Sequence, residues 1–138
     1  GNDPASCGGN APERDETDAR LIEYSLDRSV PLFGVCRGMQ SILLYFGGAL
    51  ERISGHVAVC HDVSGAISRT VNSYHNWGAR QTPSKLEVLA RAADGVVEAI
   101  SVKGRPIAGI MWHPERVSPF AQDDIRLMKA VFEQGDSL

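Results

Sequence analysis

The stretch PLFGVCRGMQSILLYFGG, residues 31–48, decides the fold, because its hydrophobic period changes at a cysteine. Leu32–Val35 is a short apolar run of the kind that forms a buried strand, and Pro31 opens it. Beyond Cys36 and Arg37, the residues Met39, Ile42, Leu43 and Phe46 recur at i, i+3, i+4 and i+7. That spacing is one face of a helix, and Gly47 and Gly48 stop it. The stretch therefore reads strand, tight turn, helix, with a thiol at the turn.

Working outward, Asp15, Glu16 and Asp18 suit a helix N-terminus, and Leu21, Ile22 and Leu26 continue a helix to about Arg28. The fourteen residues GNDPASCGGNAPER before it read as loop. On the other side, VAVCHDV (57–63) and AISRTV (66–71) are strand-like pieces. LEVLARA, VVEAISV and PIAGIMW follow, separated by the turn signals Asp94-Gly95 and Lys103-Gly104, which predicts a meander. A last helix begins near Asp123, with Ile125, Met128 and Phe132 on one face. The pattern predicts a single α/β domain over 1–138 with a mixed sheet.

Composition narrows the function classes. The 138 residues are 43% hydrophobic and 22% charged with a net charge of −3, an ordinary globular mixture with no electrostatic footprint for nucleic acid. No apolar run approaches a membrane span and no basic amphipathic stretch suggests a membrane surface, so a soluble cytoplasmic protein is expected. Cys7, Cys36 and Cys60 are odd in number and lack framework spacing, which argues for reduced thiols.

Cys36 lies in G-V-C-R-G, the spacing of a G-x-S-x-G elbow with cysteine in place of serine. A nucleophile there stands clear of the sheet between small neighbours, Gly34 and Gly38, and the helix N-terminus favours its thiolate. The amide of Arg37 would meet a developing oxyanion. The same pentapeptide also suits a buried structural cysteine whose glycines pack helix on strand. A thiol nucleophile needs a base and the base an orienter. His113 and Glu115 stand two apart in His-Pro-Glu after an apolar run, and Pro114 biases His113 toward extended chain, where i and i+2 project alike. Glu115 would then hold the imidazole and stabilise positive charge on it. His56, Cys60 and His61 invite a metal reading, but no fourth ligand stands at a recognisable spacing. VAVCHDV therefore reads as a strand with ordinary side chains, and no metal is expected.

V-C-R-G-M-Q followed by G-I-M-W-H-P-E resembles the class I glutamine amidotransferase superfamily, which uses a Cys-His-Glu triad. The opening GNDP, V-N-S-Y-H-N at 71–76 and D-G-V-V-E-A-I at 94–100 resemble its γ-glutamyl amide hydrolase branch, including the γ-glutamyl-γ-aminobutyrate hydrolases. The likeness covers nearly the whole chain. It implies a flavodoxin-like three-layer domain that lacks its N-terminal β/α units, with Cys36 as nucleophile, His113 as base and acid, and Glu115 as third member. It further implies a second oxyanion donor at Gly1, Gln40 beside the glutamyl group, and Ser73, Tyr74 and His75 lining the glutamyl pocket. The implied reaction is hydrolysis of a small-molecule γ-glutamyl amide through a thioester, with no cofactor. Two alternatives accompany it: a glutaminase component delivering ammonia to a synthase partner, and an inactive binding module of the same fold. An exposed sheet edge would favour a homo-oligomer.

Overall fold

The computed structural model describes residues 12–137. Helix α1 (Pro12–Arg28) begins with proline in its first turn, where the missing N–H costs nothing. The expected N-terminal loop thus gives way to helix already at Pro12, ahead of the acidic residues. Strand β1 (Leu32–Val35) and helix α2 (Arg37–Tyr45) follow, as the change of period predicts.

The middle of the chain holds β2 (Glu51–Arg52), β3 (Val57–Gly65), β4 (Arg69–Tyr74) and β5 (Trp77–Gly78). Strand β4 starts three residues later than the run AISRTV suggested, because Ala66–Ser68 make the turn in which Ser68 Oγ bonds the Gly65 carbonyl at 3.2 Å. Strands β6 (Leu86–Ala92), β7 (Val97–Val102) and β8 (Ile107–Ile110) form the predicted meander. Its turns carry Gly95 at φ +87° and Gly104 at φ +73°, positions an L side chain occupies only with strain. A 3-10 turn (Pro114–Arg116) and helix α3 (Gln122–Ser137) complete the described chain.

The main sheet has six strands in the order β1-β8-β7-β6-β3-β4, and β2 pairs with β5 separately. Only the β1–β8 pairing is parallel, with Val35 opposite Ile110; the rest of the main sheet is antiparallel. This is the mixed-sheet α/β class read from the sequence. One apolar cluster joins Ile22, Met39, Ile42 and Leu43 of α1 and α2 to Ile100 and Ile107 of the sheet. A second gathers Val63, Val71, Ile110 and Trp112, with Leu127 of α3 against it. Helices thus cover both faces, giving three layers. No described helix is long and apolar enough to cross a membrane.

One buried charge fixes α3. Asp124 is 1% exposed and accepts from Arg69 Nη1 at 2.6 Å and from the Trp112 indole N–H at 2.9 Å. Removing the carboxylate strands a cation and a buried donor together. Asp124→Ala is expected to lower unfolding stability by about 3 kcal/mol, read from urea denaturation.

Candidate active site

The parallel register of β1 and β8 brings the C-terminal ends of both strands to the same edge of the sheet, where α/β folds place their ligand crevices. The Cys36 amide extends that register by donating to the Ile110 carbonyl at 2.7 Å. Cys36 leaves β1 and His113 follows β8, so both enter one cleft of about 390 Å³ that Glu115, Arg14 and Phe120 also line.

Cys36 is the N-cap of α2 and has φ 53° and ψ −99°. A non-glycine residue with positive φ is strained by about 1–3 kcal/mol and persists only where its surroundings over-determine it. Here the hydrogen bond to Ile110 on one side and that from the Gln40 amide to the Cys36 carbonyl at 3.0 Å on the other hold the turn. The thiol is partly exposed. The two glycines have separate jobs. A Cβ on Gly34 would lie 2.6 Å from the Gly38 carbonyl carbon and 2.8 Å from the Met39 nitrogen, so Gly34 lets helix and strand touch. A Cβ on Gly38 would meet nothing within 4 Å.

His113 is 6% exposed, and its Nδ1 lies 2.8 Å from Glu115 Oε2. The pair forms differently from the extended geometry expected of His-Pro-Glu. His113 is extended (φ −109°, ψ 92°), but Pro114 turns the chain into the 3-10 turn, and Glu115 swings back from there. Burial works to raise the Glu115 carboxyl, but the hydrogen bond from His113, a backbone hydrogen bond and the charges of His113 and Arg116 together leave the group below its ordinary value. Asn72 grips the histidine backbone from β4: its Oδ1 accepts from the His113 N–H at 2.7 Å and its Nδ2 donates to the His113 carbonyl at 2.9 Å. Sequence reasoning missed Asn72, although it sits inside the V-N-S-Y-H-N stretch.

The other expected residues divide. The Tyr74 ring stands edge-on to His113 at 5.9 Å between centroids and carries the Arg116 guanidinium 4.1 Å above it. Ser73 is fully buried and donates to the His56 carbonyl at 2.7 Å. His75 is buried with Nδ1 3.0 Å from the Trp77 carbonyl, an oxygen that also accepts from Gln40 Nε2 at 3.1 Å. Arg37 is buried at the first position of α2, with its side chain on Asp15 of α1. Gly1, expected as an oxyanion donor, and Cys7 lie outside the described residues.

The histidines set aside as ordinary strand side chains lie in a distinct cluster. His56, His61 and His75 converge on Glu98 of β7, which is fully buried, while Cys60 is exposed on the alternate face of β3. Burial holds the His61 imidazole below its ordinary pKa; Glu98 opposes that shift and His56 and His75 add to it. Around Asp94 burial acts to raise the carboxyl, but the hydrogen bonds from His56 and the Val96 amide leave it lowered.

A family model described as glutamine amidotransferase class-I matches residues 6–130. A γ-glutamyl-γ-aminobutyrate hydrolase of Escherichia coli O157:H7 is 35% identical over 75% of this chain and 53% of its own length. A γ-glutamyl-CDP-amidate hydrolase of Campylobacter jejuni is 33% identical over 96% of this chain and 66% of its own. The chain therefore spans only part of these relatives, about half of the first. Among solved structures, a glutamine amidotransferase of Thermotoga maritima superposes with a TM-score of 0.65 at 16% identity, over 88% of this chain and 56% of that one. At that identity the likeness speaks for the fold.

Two expectations follow from the geometry. Gly34→Ala forces backbone atoms apart and is expected to cost about 2–3 kcal/mol in a urea melt. Gly38→Ala, with open space and a helical position, is expected to be neutral or stabilising by up to about 1 kcal/mol. For Glu115, the folded-state carboxyl is depressed, so its stabilising effect is present above the ordinary carboxylate range and fades as pH falls through the lowered value. The stability gap between the protein and Glu115→Gln should be open at neutral pH and close in acid.

Proposed function

We propose that this chain, which belongs to the class-I glutamine amidotransferase family, carries the active site of a cysteine-nucleophile hydrolase that cleaves a γ-glutamyl amide. The observation that supports this reading most is the shared cleft: Cys36 on a strained strand-to-helix turn, and a buried His113 held by Glu115, opening into one space. The names of the two hydrolase relatives supply the substrate class.

In this mechanism the Cys36 thiolate attacks the γ-carbonyl carbon, and the carbonyl oxygen takes up the negative charge. The Arg37 amide, in the first turn of α2, donates to that oxygen. His113 gives a proton to the leaving nitrogen, the C–N bond breaks, and a γ-glutamyl thioester and a free amine result. His113 then takes a proton from water, whose hydroxide attacks the thioester. Collapse breaks the C–S bond, regenerates the thiolate and releases glutamate. Glu115 fixes the ring orientation and offsets the positive charge that His113 carries beside the thiolate and again once it has taken the proton from water.

Substrate contacts follow the same frame. Tyr74 reaches the cleft side through His113. Gln40 is held by its Nε2 on the Trp77 carbonyl, which leaves its Oε1 as the atom that accepts from the glutamyl ammonium. Ser73 and His75 point away from His113 and act by fixing the course of the loop around Tyr74.

Glutamate release from a γ-glutamyl amine, measured by a coupled dehydrogenase assay, tests the reading. Cys36→Ser in the purified protein should lower turnover by at least about 10³-fold, the scale on which a triad nucleophile is missed. Turnover at the parental rate would remove Cys36 from the reaction.

A further inference from the structure

Away from the cleft, three imidazoles and one carboxylate meet in the interior. Glu98 is fully buried, and its Oε1 lies 3.1 Å from His56 Nδ1, 3.4 Å from His75 Nε2 and 3.7 Å from His61 Nε2. The donor atoms of His56, His61 and Glu98 all lie within 4.8 Å of one another. The His56 ring stands 4.9 Å from the His61 ring and 5.0 Å from the His75 ring, centroid to centroid. Among the described residues, these three nitrogens and both Glu98 oxygens have no hydrogen-bond partner. Buried polar atoms are almost always satisfied, so five orphans facing one another ask for a missing charge.

The outer nitrogens say what kind of charge. His56 Nε2 lies 2.6 Å from Asp94 Oδ2, and His75 Nδ1 lies 3.0 Å from the Trp77 carbonyl. Both partners only accept, so those outer nitrogens carry the protons. In a neutral ring the inner nitrogen, His56 Nδ1 or His75 Nε2, then presents a lone pair toward a carboxylate oxygen. Lone pairs facing a carboxylate are repulsive unless a proton or a metal cation stands between them, and a metal cation serves all of these atoms at once. Imidazoles whose outer N–H is held by a carboxylate or a carbonyl are also the arrangement that orients histidines on a metal.

The separations from the carboxylate match the edge of a tetrahedron. Bonds of about 2.0–2.1 Å from zinc to nitrogen or oxygen set neighbouring ligand atoms about 3.3–3.4 Å apart. The three separations from Glu98 Oε1, between 3.1 and 3.7 Å, bracket that edge. The backbone is shaped to the same end. In a regular strand His56 and His61, five positions apart, would face opposite sides. A bulge between Val57 and Val59, with Ala58 at φ 55°, inserts the extra residue that returns both to one side.

We infer that His56, His61 and Glu98, with His75 beside the Glu98 carboxylate, form a binding site for a divalent transition-metal ion of the zinc class. The site takes no part in the cleavage chemistry. With Glu98 sealed from solvent and His56 buried, it is a structural clamp between the β3 region and β7. It reaches the cleft through one atom, the Trp77 carbonyl, which joins His75 to Gln40 on the helix that follows Cys36.

The test strips the purified protein with a chelator and titrates it with Zn²⁺ against a chromophoric competitor, and with Co²⁺ by visible absorption. One equivalent should bind, and Co²⁺ should give the intense bands of a tetrahedral site. Glu98→Gln and His61→Gln should each weaken Zn²⁺ binding at least about tenfold. His61 is only partly buried, so its variant should keep the parental circular dichroism even if Glu98→Gln does not fold. Cys60→Ser should leave affinity unchanged. Failure to bind either ion, affinity that survives His61→Gln in a folded protein, or loss of binding on Cys60→Ser would each overturn the inference.

Discussion

The parallel pairing of β1 with β8 is the constraint from which the rest of the site follows. Val35 lies opposite Ile110, and the Cys36 N–H continues the ladder to the Ile110 carbonyl at 2.7 Å. Because the strands are parallel, both chains leave the sheet at the same end, one into the cysteine turn and the other into His-Pro-Glu. An antiparallel pair in the same register would send them to opposite edges. Helix α2 can pack onto the pair only because Gly34 and Gly109 lack side chains: a Cβ on Gly109 would come within 2.9 Å of Met39 Cβ. Helix α2 thus lies close against both strands, with its N-terminus beneath the thiol.

The features set by local chemistry were legible in the sequence. The change of period at Cys36 gave strand, turn and helix, and Asp94-Gly95 and Lys103-Gly104 gave the turns of the meander. What sequence could not give was what depends on where distant strands pair. The histidine–glutamate cluster takes His56 and His61 from around β3, His75 from the end of β4, and Glu98 from β7, with spacings that match no ligand motif. The Ala58 bulge that turns His56 and His61 to one side carries no glycine to announce it. Asn72 reads as an ordinary strand residue until its amide is seen bonded to the His113 backbone just past β8. The contact between His113 and Glu115 was anticipated, but from extended chain; the proline that suggested extension at His113 begins a tight turn after it.

Strand β4 links the two polar centres. Asn72 and Tyr74 project toward His113, and Ser73 and His75 project the other way, toward His56 and Glu98. The period-two alternation of one strand therefore divides four consecutive residues between the cleft and the buried cluster. A shift of one residue in its pairing would exchange them, so the two centres stand or fall with the same register.

The central claim is that Cys36 is a nucleophile activated by His113. Alkylation of Cys36 by iodoacetamide at pH 6.5, followed on its own peptide by mass spectrometry so that Cys7 and Cys60 do not contribute, tests it most directly. A thiolate held at the helix N-terminus beside an imidazole should react rapidly in the protein and at least about tenfold more slowly in folded His113→Ala. Equal, slow rates in both proteins would contradict the account.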